Sequence, residues 1–336
     1  MPRDPATPAE RLFAYIRRGA GAEAITDARM SPLLGGAVLR HERLDFVLEG
    51  GPYAGAQSWV LRMDGATKLG LGLPRAREFA VQRTLFCAGL NVAEPLFVCC
   101  DKAVCGAPFF LMRCLPGIAD GAAIVAGGVN ETLAEALGRE LARLHALDLK
   151  RELHFLSPPP ADAAAARIAE LETLLRQDED PHPVAEWALR WLTRRKPTPM
   201  TCVLCHGDFR TGNYLVAEGA LTGILDWDFA GWSDPAEDIA WFCAKPWRFG
   251  AFTHEAGGIA PRATFYRGYE SVAGRAIDPA RIRYWEVMAA LRWLVIALKQ
   301  RDRHLRQGER SLDLALTGRR PAECELEILI LTGEAG

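Results

Sequence analysis

Leu204-Cys205-His206-Gly207-Asp208-Phe209-Arg210-Thr211-Gly212-Asn213-Tyr214-Leu215-Val216, with Ile224-Leu225-Asp226-Trp227-Asp228-Phe229 close behind, is the stretch from which the rest of the chain can be read. An apolar strand runs into an acid in a glycine-flanked loop, and Asn213 closes that loop. Asp226 ends a second apolar strand, beyond a turn at Glu218-Gly219. Two short strands joined in this way bring Asp208, Asn213 and Asp226 to one end of a hairpin. Carboxylate and amide oxygens are the ligands Mg²⁺ accepts. A further carboxylate beside such an ion can orient a hydroxyl and take its proton. The bland alternative is a polar turn between core strands, with Asp208 and Asn213 as ordinary turn formers. Cys202-Val203-Leu204-Cys205-His206 also matches a haem-attachment spacing. Its place in a short apolar strand makes the two cysteines expected core residues instead.

Outward from this stretch, the chain changes character near residue 115. A short amphipathic helix is predicted over 9–18, and strand-like pieces separated by glycines run from about 29 to 62. Leu33-Leu34 leads into Gly35-Gly36, residues 44–48 alternate, Gly50-Gly51-Pro52 marks a turn, and 58–62 is a further strand. Residues 75–89 read as a helix with Gly89 at its C-cap, and two more strands fall near 95–100 and 108–114. Five strands with one helix between the third and fourth make a small α+β unit. Past Leu115-Pro116-Gly117 the pattern becomes helical over 131–148, 161–177, 183–195, 234–244, 262–273, 279–305 and 322–332, with a short piece near 309–317. Only 202–233 reads as strand and loop, and Ser157-Pro158-Pro159-Pro160 is a loop or linker. The expected division is a sheet-rich part over 1–115 and a helix-rich part over 116–336.

Composition narrows the partners. Hydrophobic residues make up 49% and charged residues 24%, with a formal net charge of -2. That balance suits a globular chain with a sizeable core and gives no global pull toward nucleic acid or an anionic membrane. Residues 1–10 are polar and proline-bearing, so no signal peptide is expected. The most apolar run, near 287–298, is short and interrupted by Arg292, so no membrane span is expected and the chain reads as cytoplasmic. Nine cysteines, an odd number in such a chain, favour free thiols over a disulfide framework.

The pattern His206-Gly207-Asp208-x-x-x-x-Asn213, followed by an apolar strand and Asp226, resembles the catalytic loop and metal-binding acid of the aminoglycoside phosphotransferase and choline kinase-like family. That family shares the protein-kinase fold. The resemblance implies a bilobal α+β architecture: a small five-stranded antiparallel N-lobe with one main helix, and a larger, mostly helical C-lobe. It implies Asp208 as catalytic base, Asn213 and Asp226 as Mg²⁺ ligands, and His206 as a buried organiser of the loop. Arg210, two residues past the base, is placed to stabilise charge on the transferred phosphate. A nucleotide, ATP or GTP, is expected at Gly35 and Gly36 as a phosphate-facing turn, although a plain hairpin turn explains the same pair. Arg62 stands where the family usually carries Lys, and Glu78 is placed on a helix to pair with it; solvated surface roles are the alternatives. Arg113 and Leu115 fall in the last strand and hinge, whose backbone would meet the base. Asp234-Pro235 reads as N-cap and first residue of a helix, with Asp238 either bracing the catalytic loop or supplying first-turn charge.

The acceptor is read as a hydroxyl on a small molecule. Asp228, Trp232 and Arg248 are candidate substrate residues within an aromatic-rich run, whereas Trp241 and Phe242 lie on a helix and read as core. The stretch 241–270 is not acidic, which argues against a polycationic aminoglycoside. The sequence looks closer to the branch of the family whose domains are fused to acyl-CoA dehydrogenases, and an anionic hydroxyacyl-type metabolite suits it. Alternatives are an aminoglycoside or choline-type kinase and a nucleotide-binding, pseudokinase-like regulator. A protein kinase is disfavoured, because Asp234-Pro235 follows Asp226 too closely to leave an activation segment.

Overall fold

The computed structural model describes residues 7–33, 39–64 and 72–333, with the side chains of 39 and 40 left aside. In chain order the first elements are α1 (Pro8–Gly19), β1 (Ala24–Pro32), β2 (Leu39–Glu49), β3 (Gly55–Asp64), α2 (Arg75–Cys87), β4 (Pro95–Cys99), α3 (Lys102–Cys105) and β5 (Phe109–Arg113). Next come α4 (Gly121–Ala126), α5 (Glu131–Ala146), α6 (Ala163–Leu175), α7 (Pro183–Arg194), β6 (Val203–Cys205), β7 (Tyr214–Ala217) and β8 (Ala220–Ile224). A 3₁₀ turn at Trp227–Phe229, β9 (Gly231–Ser233), α8 (Pro235–Cys243) and a second 3₁₀ turn at Lys245–Arg248 follow. The chain closes with α9 (Arg262–Ala273), α10 (Pro279–Leu305), α11 (Leu312–Thr317) and α12 (Pro321–Thr332). Two compact units result: Met1–Asp120 with Tyr214–Ala230, and Gly121–Asn213 with Gly231–Gly336.

In the first unit, β1 to β5 form one antiparallel sheet in the order β1-β2-β3-β5-β4. Strand periodicity sorts β3 onto two faces. Trp59, Leu61 and Met63 join Leu12 and Ile16 of α1 in one buried cluster, while Val60 packs with Phe79 of α2, Phe110 and Met112 in another. Arg62 and Asp64, in step with Val60, therefore lie on the α2 side. Thr7 and Glu10 close a reciprocal capping box at the start of α1. The hairpin β7–β8 turns at Glu218 and Gly219, both with positive φ, and bridges Val92 and Ile118 of the same unit through Ile224 and Val216.

The second unit is helical apart from the short pair β6–β9. Its α10 buries Trp285, Met288, Leu291, Leu294 and Leu298. The protein-kinase-like α+β class expected from the sequence is the class observed, with a five-stranded antiparallel sheet and a mostly helical remainder. Differences are local. The first strand begins at Ala24, ahead of the expected region, and α3 and α4 are too short to show a period. Cys202 and Cys205 are buried and all nine cysteines are free thiols. Among the described residues no helix is long and apolar enough to cross a membrane.

Candidate functional site

The loop after β6 is shaped by α8 of the same unit. Asp234 caps α8 by accepting from Ala236 N (2.9 Å) and binds the Arg281 guanidinium, with Nε at 2.8 Å. One helical turn on, Asp238 is fully buried and accepts from the backbone N–H groups of His206 (2.7 Å) and Gly207 (2.9 Å). Gly207 has φ +78, which only glycine adopts at low cost, so the chain can turn both amides onto one carboxylate. His145 of α5 adds Nε2 at 3.2 Å, and its Nδ1 lies 2.9 Å from the Tyr269 hydroxyl. Burial opposes ionisation of Asp238, but the bonds from His145 and His206 outweigh it and hold the carboxyl below its usual range. The ligand atoms of His145, Cys205 and Asp238 lie within 4.8 Å of one another. Burial pushes the Cys205 thiol well up, and the Asp238 oxygens are taken by N–H donors, so this trio is a hydrogen-bonded brace rather than a metal cage.

His206 is buried, and its Nδ1 accepts from the Asp208 N–H (3.1 Å). The Asp208 carboxylate is held from both sides. Oδ2 accepts from Asn213 Nδ2 (2.7 Å) and Arg210 Nε (3.1 Å), and Oδ1 accepts from the Trp241 indole N–H (2.7 Å). Asn213 Nδ2 also donates to the Asp208 carbonyl (2.9 Å). With its nitrogen so committed, Asn213 offers its amide oxygen, the atom a hard cation takes. Arg210 lies over the Trp247 ring at 4.6 Å and donates to the Thr211 carbonyl.

In the first unit a second cluster gathers around β3 and α2. Arg62, almost fully buried, makes ion pairs with Glu78 (2.7 Å) and Asp226 (2.5 Å), and its Nη1 donates to His41 Nε2 (2.7 Å). Burial alone would lower the Arg62 guanidinium, but Asp226 and Glu78 outweigh it and the net direction is up, so the residue stays charged. Arg75 is a second buried guanidinium, pairing with Asp64 (3.0 Å), with Glu78 and with Asp228. Burial raises the Asp228 carboxyl, against the pull of Arg75 and Arg62. Asp226 sits in the left-handed region at φ +67, a conformation that costs a non-glycine residue about 1 kcal/mol or more. Burial pushes the Glu78 carboxyl up to about 7, against the pull of Arg62 and Arg75. Among the described residues, two guanidiniums thus face four acids, whose oxygens are the donor type Mg²⁺ accepts.

Residues 53–285 match the phosphotransferase enzyme family. This chain belongs to that family. Among curated relatives, acyl-CoA dehydrogenase family member 11 of Gallus gallus is 34% identical over 200 residues, covering 56% of this chain and 25% of the relative. Acyl-CoA dehydrogenase family member 10 of Mus musculus is 28% identical over 173 residues, covering 50% and 16% respectively. The chain spans a quarter or less of the length of these two relatives. Among solved structures, a Ralstonia eutropha protein provisionally described as an aminoglycoside phosphotransferase superposes with a TM-score of 0.75 at 21% identity, over 97% of this chain and 98% of the other. A choline/ethanolamine kinase family protein of Mesorhizobium loti gives 0.60 at 19% identity over 96% and 95%. A spectinomycin phosphotransferase in complex with ADP and spectinomycin gives 0.64 at 13% identity over 98% and 99%.

The remaining expected site residues of this phosphotransferase family member lie as follows. Gly35 and Gly36 are outside the described residues. Arg113 ends β5 and pairs with Glu94 at 2.7 Å, and Leu115 packs against the cluster that holds Val60 and Phe110. Trp232 is half-buried in β9, opposite Leu204. Arg248 clamps backbone, donating to the carbonyls of Cys243 (2.7 Å) and Phe252 (2.9 Å), which gives it a structural task in its own loop. Sequence reasoning missed Arg75, Asp64 and His41 as members of the Arg62 cluster. It treated Trp241 as core alone, and Arg292 only as a break in an apolar run. A charge inside that run was the available signal: Arg292 donates to the Gly207 carbonyl at 2.7 Å and stacks on Trp241 at 4.4 Å.

Proposed function

We propose that this chain is a small-molecule kinase that transfers the γ-phosphate of Mg-ATP or Mg-GTP to a hydroxyl. The observation that carries the reading is the Asp208 carboxylate, held by Asn213, Arg210 and Trp241 in a loop braced by a buried Asp238. In this reading the acceptor oxygen attacks the γ-phosphorus, the bond to the β-phosphate oxygen breaks, the nucleoside diphosphate leaves, and Asp208 takes the hydroxyl proton. Asn213 and Asp226 would hold Mg²⁺, which supplies neutralisation of phosphate charge. Arg62, charged and anchored by Glu78, would turn toward the phosphates, and Arg210 would meet the transferred group. Family membership, together with solved neighbours that include a phosphotransferase holding ADP and its acceptor, supports a nucleotide co-substrate.

The acceptor we propose is an anionic hydroxyacyl-type metabolite. With Arg248 committed to its own loop, the positive charge beside the base comes from Arg210. The acyl-CoA dehydrogenase relatives point to the same chemistry. The test is a panel of hydroxy acids and their thioesters, aminoglycosides and choline, assayed for Mg-dependent nucleotide consumption. Consumption with a hydroxy acid or thioester alone is the expected result, and consumption with aminoglycosides or choline alone would overturn the acceptor class. Asp208→Ala should lower turnover by about 10³-fold while leaving Mg-nucleotide binding intact; full activity in that variant would end the base assignment.

A further inference from the structure

We propose that Trp241 is a positioning residue for Asp208, fixing which carboxylate oxygen is left to receive the acceptor's proton; this rests on the kinase reading. Oδ2 carries two donors, from Asn213 at 2.7 Å and Arg210 at 3.1 Å. Among the described residues Oδ1 carries one, the Trp241 indole N–H at 2.7 Å. A carboxylate oxygen has two acceptor sites, so Oδ1 keeps one open for a hydroxyl while the indole prevents the group from rotating. Without that donor the carboxylate could swing about its bond to Cβ and present either edge.

The indole is itself locked. Trp241 is 2% exposed, and its ring lies 5.2 Å from that of Trp247. Arg292 of α10 stacks on it at 4.4 Å and donates to the Gly207 carbonyl at 2.7 Å. The contacts close a ring: Asp208 to Trp241, Trp241 to Arg292, Arg292 to Gly207, and Gly207 back to Asp208 through the chain. Helix geometry explains the arrangement. Asp238 and Trp241 are three apart on α8 and share a face, so one ridge takes the amides of His206 and Gly207 and then the side chain of Asp208. A tryptophan present only to fill the core would not need its N–H aimed at a largely buried carboxylate. Among the described residues, the buried Trp191 and Trp285 carry no hydrogen-bond partner on the indole nitrogen.

The experiment uses the full chain and two readouts. In a ¹H–¹⁵N spectrum, the indole resonance that disappears in Trp241→Phe is assigned to Trp241. In Asp208→Ala that resonance should move upfield, because its acceptor is gone. Hydrolysis of Mg-ATP or Mg-GTP to water, which needs no identified acceptor, supplies the second readout. Trp241→Phe keeps a ring for packing but removes a donor to a charged group, so kcat should fall about 10-fold or more with KM for the nucleotide within about twofold. If that variant does not fold, Arg292→Met, which leaves the indole but removes its clamp, should show the same split with a smaller fall. An unmoved indole resonance overturns the proposal, as does a moved one with kcat unchanged in Trp241→Phe. A wild-type chain that consumes no nucleotide with water or with any acceptor of the panel sinks the kinase reading instead, and the resonance then decides the contact alone.

Discussion

The cluster around Arg62 and the loop seated on α8 both hold carboxylates out of water, by different means. Around Arg62 and Arg75 the partners are charged side chains, with four acids against two guanidiniums. Around Asp238 the partners are backbone amides and a histidine, and around Asp208 they are an amide, an indole and one guanidinium. Backbone amides and a locked indole have one geometry and cannot follow a ligand. Arginine side chains can exchange one oxygen partner for another, because the guanidinium fork offers five N–H donors. The difference leaves Asp208 in a frame of fixed geometry and the acids around Arg62 and Arg75 in an adjustable one.

Removing Asp238 tests the fixed frame most severely. Asp238→Ala leaves the amides of His206 and Gly207 buried without their acceptor, and should cost about 3 kcal/mol or more in a urea melt. The sign of its pH dependence follows from a carboxyl held below its usual range. Its stabilisation is complete above about pH 4 and is lost as the pH falls through the lowered folded value, so wild type and Asp238→Asn should converge toward the acid end. A flat difference across pH would break the contrast.

Asp226→Ala probes the adjustable set and should behave oppositely. Arg62 keeps its ion pair with Glu78 when Asp226 is removed, so the fold should keep its melting temperature. The stabilisation conferred by Mg-nucleotide, about 2.7 kcal/mol at a hundredfold excess over Kd, should vanish. A fold that collapses without Asp226 would make that cluster as rigid as the loop. Arg62→Lys is the mildest change. One ammonium cannot span Glu78, Asp226 and His41 together, so about 1.5 kcal/mol of stability should be lost, with activity retained if charge alone is required.

Much of this was legible in the chain. The strongly periodic α5 lies where the recurrence of Leu133, Leu137, Leu141 and Leu144 places it, because burial of one stripe is what forms it. The pairing of Arg62 with Glu78 was implied by the family resemblance of the two segments, and the two side chains meet at 2.7 Å. The bracing of the loop by Asp238 was one of two readings the first turn of α8 allowed, and the structure selects it. Arg248, a charge in an aromatic stretch and a candidate ligand on that ground, donates to the carbonyls of Cys243 and Phe252.

The sequence by itself determined the type and order of the longer strands and helices, and the spacing of Asp208, Asn213 and Asp226, since these depend on local periodicity and turn chemistry. Only the tertiary structure decided that Trp241 donates to Asp208, that Arg292 joins Trp241 to Gly207, and that Arg75 shares Asp64, Glu78 and Asp228. Such contacts join residues up to 153 positions apart. Which donor reaches which oxygen is fixed by how helices and strands pack, and no local pattern carries that information.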